Sequence, residues 1–294
     1  MKSDSFCGVV TALVTPFKNG AVDFSSLREI VHHQIKNGIF KFIVNGTTAE
    51  SPTLDHHEVK EIYRFVRNEV GEKSIIVVGT GSNCTRKTIE FSKEAESWGA
   101  DGLLVVTPYY NKPPQEGLVA HFSTVAQAVR IPLILYNVPS RTITAMTLET
   151  VGSLSKIENI IGVKEASGDI ELSRQILKKS AKGFFVTSGD DFSCVELAVE
   201  GGRGVISVVS HLIPAELIEM MNAAVGGDAR VKESFLKYSG LLKALYSESN
   251  PIGVKMALFK MGIIDSPEMR LPLVAMSSPA TAGLVEEMKK LGLV

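Results

Sequence analysis

The chain has too few cysteines, too even a charge and too short a set of apolar runs for several large classes of protein. Its three cysteines, Cys7, Cys84 and Cys194, are odd in number, far apart and without a Cys-x-x-Cys pair, so neither a disulfide framework nor a thiolate metal site is indicated. Thirty-one Lys and Arg face 32 Asp and Glu, a net charge of -1, with no long run of either sign to form a basic groove. Nucleic acid and anionic membrane surfaces are therefore not expected as partners. No apolar run reaches the roughly 18 residues of a membrane span. Met1-Lys2-Ser3-Asp4-Ser5-Phe6 leads into a strand-like stretch and lacks the apolar core of a signal peptide, so a cytoplasmic protein is expected. Metal-ligand spacing is missing too: His32-His33 and His56-His57 would stand about 100° apart on a helix, and no His-Glu-x-x-His run exists.

What the chain does have is regular alternation. Eight short apolar, β-branched stretches can be marked: Val9 to Val14, Phe42 to Asn45, Ile75 to Gly79, Leu103 to Thr107, Leu133 to Asn137, Ile160 to Lys164, Phe184 to Ser188 and Val205 to Val208. Their spacing of about 20 to 35 residues is that of one strand plus one helix. Amphipathic segments lie between them, with helix punctuation such as Ser25 before Leu27, a stop at Gly38, and an Asp55/Glu58 capping box. Further stripes run over Ile89 to Trp98, Leu118 to Val129, Ile170 to Leu177 and Phe192 to Val199.

At 294 residues with 45% hydrophobic side chains, the chain can bury a large core, as one barrel with an appendage or as two domains. Near-continuous runs such as Leu103-Leu104-Val105-Val106 suit a parallel sheet covered on both faces. Eight regular units favour a (β/α)8 TIM barrel over a doubly wound open sheet. After Pro214 only helical patterns follow, around Leu217 to Val225, Val231 to Tyr246, Gly253 to Met261 and Ala280 to Leu291. The expected organisation is an α/β barrel over residues 1–225 and a C-terminal helical appendage over 226–294, with no flexible linker between them.

In such a barrel the loops after the strands build the active face, so polar residues just past each apolar run come first. These are Asn45-Gly46-Thr47-Thr48-Ala49-Glu50, Thr107-Pro108-Tyr109-Tyr110-Asn111, Tyr136-Asn137-Val138-Pro139-Ser140-Arg141 and Lys164-Glu165. Strand alternation puts Lys164 on the face of Ile160 and Gly162, toward the barrel interior. An ammonium is costly there, and desolvation favours the free amine of any buried lysine, the form that makes imines. A lysine paired with Glu165 or leaning out at the rim is the other reading. Tyr136 sits at the same depth and could pass protons to a carbinolamine, or could be a packed aromatic with a satisfied hydroxyl. Thr47 and Thr48 can cradle a small carboxylate or cap a helix. Arg141 offers a planar fork for a second carboxylate, or is an ordinary surface arginine. Gly201-Gly202-Arg203-Gly204 precedes a strand and belongs to the opposite face, and Gly79-Thr80-Gly81 lacks the rest of a dinucleotide fingerprint.

Taken together the motifs resemble the pyruvate-dependent class I aldolases and lyases typified by dihydrodipicolinate synthase. The likeness spans essentially the whole chain, on Gly46-Thr47-Thr48-Ala49-Glu50-Ser51, Thr107 to Asn111, Tyr136 to Thr142, Gly162-Val163-Lys164-Glu165-Ala166, Ser188-Gly189-Asp190-Asp191 and Asn250-Pro251-Ile252. The resemblance implies that Lys164 forms an imine with pyruvate and that Tyr136, Thr47 and Tyr110 relay protons, Tyr110 reaching a neighbouring subunit's site. It further implies that Thr48, with backbone groups near Gly189 and Ile206, holds the pyruvate carboxylate, while Arg141 receives that of L-aspartate 4-semialdehyde. No cofactor or metal is implied, since the iminium is the electron sink. A tight dimer paired into a homotetramer is also implied. Sialic-acid lyase and 2-keto-3-deoxy sugar-acid aldolases share the imine machinery but characteristically lack the arginine, so Arg141 favours the synthase.

Two positions depart from the family's pattern. Ala49 stands where glycine is usual, and alanine tolerates positive φ poorly, so a locally reshaped loop is expected. Ser51, His56, Asn83 and Tyr109 match the lysine-feedback pattern of the family, but Val59 and Lys87 replace a histidine and a glutamate. A cation at Lys87 would repel the effector's ammonium, so weak or absent lysine inhibition is expected.

Overall fold

The computed structural model describes residues 3–294; Met1 and Lys2, the start of the stretch expected to lead into the first strand, lie outside the described residues. Eight parallel strands close into a barrel in which each pairs with its successor in the chain and the last with the first. They are β1 (Gly8–Ala12), β2 (Lys41–Val44), β3 (Ile75–Gly79), β4 (Gly102–Val106), β5 (Leu133–Asn137), β6 (Ile160–Glu165), β7 (Phe185–Ser188) and β8 (Gly204–Ser207). Alternation sorts their side chains into two cores. Val10, Ala12, Ile43, Val77, Leu104, Ile134, Tyr136, Phe185 and Ile206 fill the barrel. Val9, Phe42, Val44, Val78, Val105, Leu135 and Val186 face the surrounding helices.

Gly162 and Lys164 lie on the inner face as expected, but Ile160 does not: it packs in the outer core with Val163. The cause is a register slip between β5 and β6, where Leu133 pairs with Ile160 and Ile134 with Gly162, so one extra residue reverses the parity before Gly162. Gly162 has its own packing reason, since a Cβ there would stand 2.6 Å from the Phe185 ring.

Helix punctuation reads mostly as the sequence suggests. Asp23, not Ser25, caps α1 (Phe24–Lys36), accepting from the Ser25 and Ser26 amides. The Asp55/Glu58 capping box is present at α2 (His56–Val70), and Gly99 ends α3 (Thr85–Trp98) in the left-handed region. Then come α4 (Gln115–Ala128), α5 (Leu148–Leu154), α6 (Ile170–Lys179), α7 (Cys194–Val199) and α8 (Pro214–Val225). The α5 helix, the one-turn helix Pro139–Thr142 and the hairpin of Phe17–Lys18 with Ala21–Val22 are too short for periodicity to mark. The helical pattern from Val231 to Tyr246 is broken into α9 (Val231–Phe235), a 3-10 turn and α10 (Ser239–Leu245). Two more helices follow, α11 (Ile252–Lys260) and α12 (Ser278–Lys290); none among the described residues is long and apolar enough to cross a membrane.

The C-terminal helices are joined to the strand-end face by charge. Lys255, in the apolar run of α11, has no exposure and donates to Glu50 Oε1 at 2.5 Å and to the Glu268 carbonyl at 2.7 Å. The Arg270 amide donates to Glu50 Oε2, and its guanidinium to Glu58 and the Thr53 and Gly20 carbonyls. Breaking one partner of a buried pair leaves an uncompensated charge, so Lys255→Met is expected to destabilise the fold by about 3–5 kcal/mol. Denaturant unfolding of Lys255→Met and of the double variant Glu50→Gln/Lys255→Met checks this: the double should lose less than the single.

Candidate active site

Lys164 is 5% exposed and lies level with Tyr136 of β5 and Thr187 of β7 in the strand ladders. Its Nζ stands over the Tyr136 ring, 4.1 Å from the centroid, where the ring's electron-rich face attracts an ammonium. Glu165 does not neutralise it. That carboxylate is turned to the other face of β6, accepting from Asn137 Nδ2 and the Ser167 amide, each at 2.8 Å. Burial nevertheless pushes the Glu165 carboxyl up, against those two donors. The chain leaves room for the lysine at Gly189: a Cβ there would sit 2.6 Å from Lys164 Cε and 2.8 Å from Cγ. Ile206 packs in the same inner core as Tyr136.

The loop after β2 turns sharply. Asn45 takes φ 59, Thr47–Ala49 form a 3-10 turn, and Glu50 takes φ 58. Ala49 lies inside the turn and has no positive φ, a backbone that alanine adopts without strain. The left-handed residue is its neighbour Glu50, which the Lys255 ion pair holds in place. The Ala49 and Glu50 amides close the turn by donating to Gly46 and Thr47 carbonyls. The Thr47 and Thr48 amides begin it, the position at which helical turns present unshared N–H groups.

Of the sequence candidates, Thr47, Tyr136 and Arg141 line one cavity of about 460 Å³. Thr48 is buried beside it in sequence, with Oγ1 accepting from Asn250 Nδ2 at 3.0 Å. Arg141 is exposed and donates to the Asn250 carbonyl at 3.2 Å. Tyr110 is not brought to the cavity: it is 86% exposed, at φ 75, in the loop after β4. The same cavity is also lined by Ser51, His56, Val59, Lys87 and Tyr109.

The glycines set aside in the sequence have structural roles. Gly79 and Gly81 let the end of β3 approach its neighbours, since Cβ atoms there would stand 2.2 Å from the Asn45 carbonyl and 2.4 Å from the Val106 amide. Gly204, at the opposite end of the barrel, meets the Gly8 backbone as closely. Sequence reasoning gave no role to Asn250 or Lys255. The available signal for Lys255 was a lone charge inside Ile252-Gly253-Val254-Lys255-Met256-Ala257-Leu258.

Burial drives the His121 and His211 imidazoles down to about 4, so both are neutral near pH 7. In the unfolded chain they take up protons near 6.5, so the unfolded state binds more protons as pH falls from 6.5 toward 4 and stability is lost over that window. We expect His211→Asn to flatten the fall between pH 7 and pH 5 by about 2 kcal/mol, read from denaturant midpoints at the two pH values.

Comparison with known proteins agrees with the barrel fold. The sequence profile described as the "Dihydrodipicolinate synthetase family" matches residues 5–291. A 4-hydroxy-tetrahydrodipicolinate synthase from Bdellovibrio bacteriovorus is 48% identical, over 99% of each chain. The crystal structure of dihydrodipicolinate synthase from Thermotoga maritima superposes with a TM-score of 0.96 at 40% identity, covering 99% of this chain and 100% of that one. A structure described as the first monomeric dihydrodipicolinate synthase variant also gives 0.96 at 40% identity, covering 99% of each.

Proposed function

The chain belongs to the dihydrodipicolinate synthetase family, and we propose that its chemistry runs through an imine between Lys164 and pyruvate. The reaction is the lyase-class condensation of pyruvate with L-aspartate 4-semialdehyde to 4-hydroxy-tetrahydrodipicolinate, a step of diaminopimelate and lysine biosynthesis. The observation that carries the reading of the site is Lys164 itself: a buried amine against the Tyr136 ring, with its neighbour Glu165 committed elsewhere.

In this reading the amine adds to the ketone carbon of pyruvate, and loss of water from the carbinolamine gives the iminium. Tyr136 and Thr47, with Tyr110 of a neighbouring copy, carry the protons for these transfers. Loss of a methyl proton gives the enamine, whose carbon attacks the aldehyde; the new oxygen takes up a proton. The second substrate's amine then attacks the iminium carbon, closes the ring and releases Lys164. The Thr48 hydroxyl, with the amides opening its turn and backbone near Gly189 and Ile206, holds the pyruvate carboxylate. Arg141, at the cavity wall, takes the carboxylate of the aldehyde substrate. The 86% exposure of Tyr110, a large ring standing in solvent, supports a dimer that covers it, and we read the assembly as two such dimers in a tetramer. The composition and the biosynthetic reaction support a cytoplasmic location.

Treatment with pyruvate and borohydride should leave a reduced adduct on Lys164, seen by peptide mass spectrometry; absence of the adduct sinks the reading. Tyr136→Phe should keep the adduct while lowering kcat by about 10²-fold or more. Lysine at millimolar concentration should leave the wild-type rate nearly unchanged, because Lys87, which lines the cavity, repels a second ammonium.

A further inference from the structure

Thr48 and Arg141 come from the segments after β2 and β5, yet both contact one residue of the C-terminal segment. Asn250 Nδ2 donates to Thr48 Oγ1 at 3.0 Å, and the Asn250 carbonyl accepts from Arg141 Nη2 at 3.2 Å. Two residues past Thr48, Glu50 meets Lys255, five residues past Asn250, so the two segments are tied at two points by an amide–hydroxyl contact and an ion pair.

We propose that Asn250 is a positioning residue that sets the hydrogen-bond polarity of Thr48. A threonine hydroxyl can donate or accept, and its proton rotates to suit its partner. An amide NH2 can only donate. With its oxygen already accepting from Asn250, the Thr48 hydroxyl must direct its own O–H elsewhere, and a carboxylate, acceptor-only when ionised, needs that donor. Asn250 thus makes Thr48 a fixed donor before substrate arrives. It holds Arg141 by a main-chain atom, which a side-chain substitution leaves in place. This inference rests on the reading of Thr48 as the hydroxyl that holds the pyruvate carboxylate.

The test compares Asn250→Asp, Asn250→Ala and Thr48→Val in steady-state assays with both substrates varied, together with thermal denaturation. In N250D the new carboxylate would draw the Thr48 proton to itself and set a second negative charge near the substrate's. Its pyruvate KM should rise about tenfold or more, the scale of a hydrogen bond to a charged group. N250A frees the hydroxyl to rotate, and should raise the pyruvate KM only a few-fold on the scale of an ordinary hydrogen bond. The aldehyde KM should stay within about twofold in both variants, since the backbone contact to Arg141 remains. A merely structural amide predicts the reverse order, with isosteric Asp milder than Ala, and both substrates affected alike; that result overturns the proposal. An unchanged pyruvate KM in T48V overturns the assignment of Thr48, and the inference with it. A raised one in T48V with N250D no worse than N250A overturns the role of Asn250 alone. Should N250D not fold, the N250A/T48V double variant decides: Thr48→Val must raise the pyruvate KM less in the N250A background than in wild type, and equal effects overturn the proposal.

Discussion

Two opposite charges out of reach of water hold the loop that carries Thr47 and Thr48. Glu50 and Lys255 are both fully buried and meet at 2.5 Å, with the Arg270 amide and the Glu268 carbonyl using further hydrogen-bonding capacity of the pair. Neither charge would tolerate that burial alone, so each fixes the position of the other. Burial pulls the Lys255 ammonium down, opposed by the carboxylate beside it. Glu50 can therefore hold a left-handed φ of 58, the turn before it keeps its shape, and the C-terminal helices become part of the site's architecture.

The barrel supplies the complementary element. Lys164 lies on the inner face that also carries Phe185 and Ile206, with space over its side chain left by Gly189 and a ring surface from Tyr136. Asn137, next to Tyr136 on β5, ties up Glu165, next to Lys164 on β6, on the outer face, where Met146 also donates to the Asn137 side chain. The same strand pair thus separates the amine from the carboxylate next to it in sequence. In the proposed reaction, that separation leaves the lysine free to meet a ketone.

Much of this was legible residue by residue. Leu133-Ile134-Leu135-Tyr136-Asn137 reads as a buried strand and is one, and Asp55 with Glu58 reads as a capping box and closes as one. Leu148–Leu154 did not announce itself, because seven residues are too few for a helical period to stand out. Ile160 was assigned the wrong face by simple alternation, because a register slip lies between it and Gly162. The left-handed residue of the loop after β2 is Glu50, and no local pattern marks it, because the ion pair that holds it comes from Lys255, 205 residues away.

What the sequence by itself determined is what can be encoded in five to fifteen consecutive residues: eight strands and, except at Ile160, their parity, the Asp55/Glu58 cap, and the chemical types at the strand ends, including Lys164, Tyr136 and Arg141. Only the tertiary structure decided the partners. Thr48 with Asn250 and Glu50 with Lys255 are separated by 202 and 205 residues, and no local pattern says which amide faces which hydroxyl or which carboxylate meets which ammonium. Those choices follow from closing the barrel and packing the last helices over its strand ends, where burial makes each polar group depend on the one it meets.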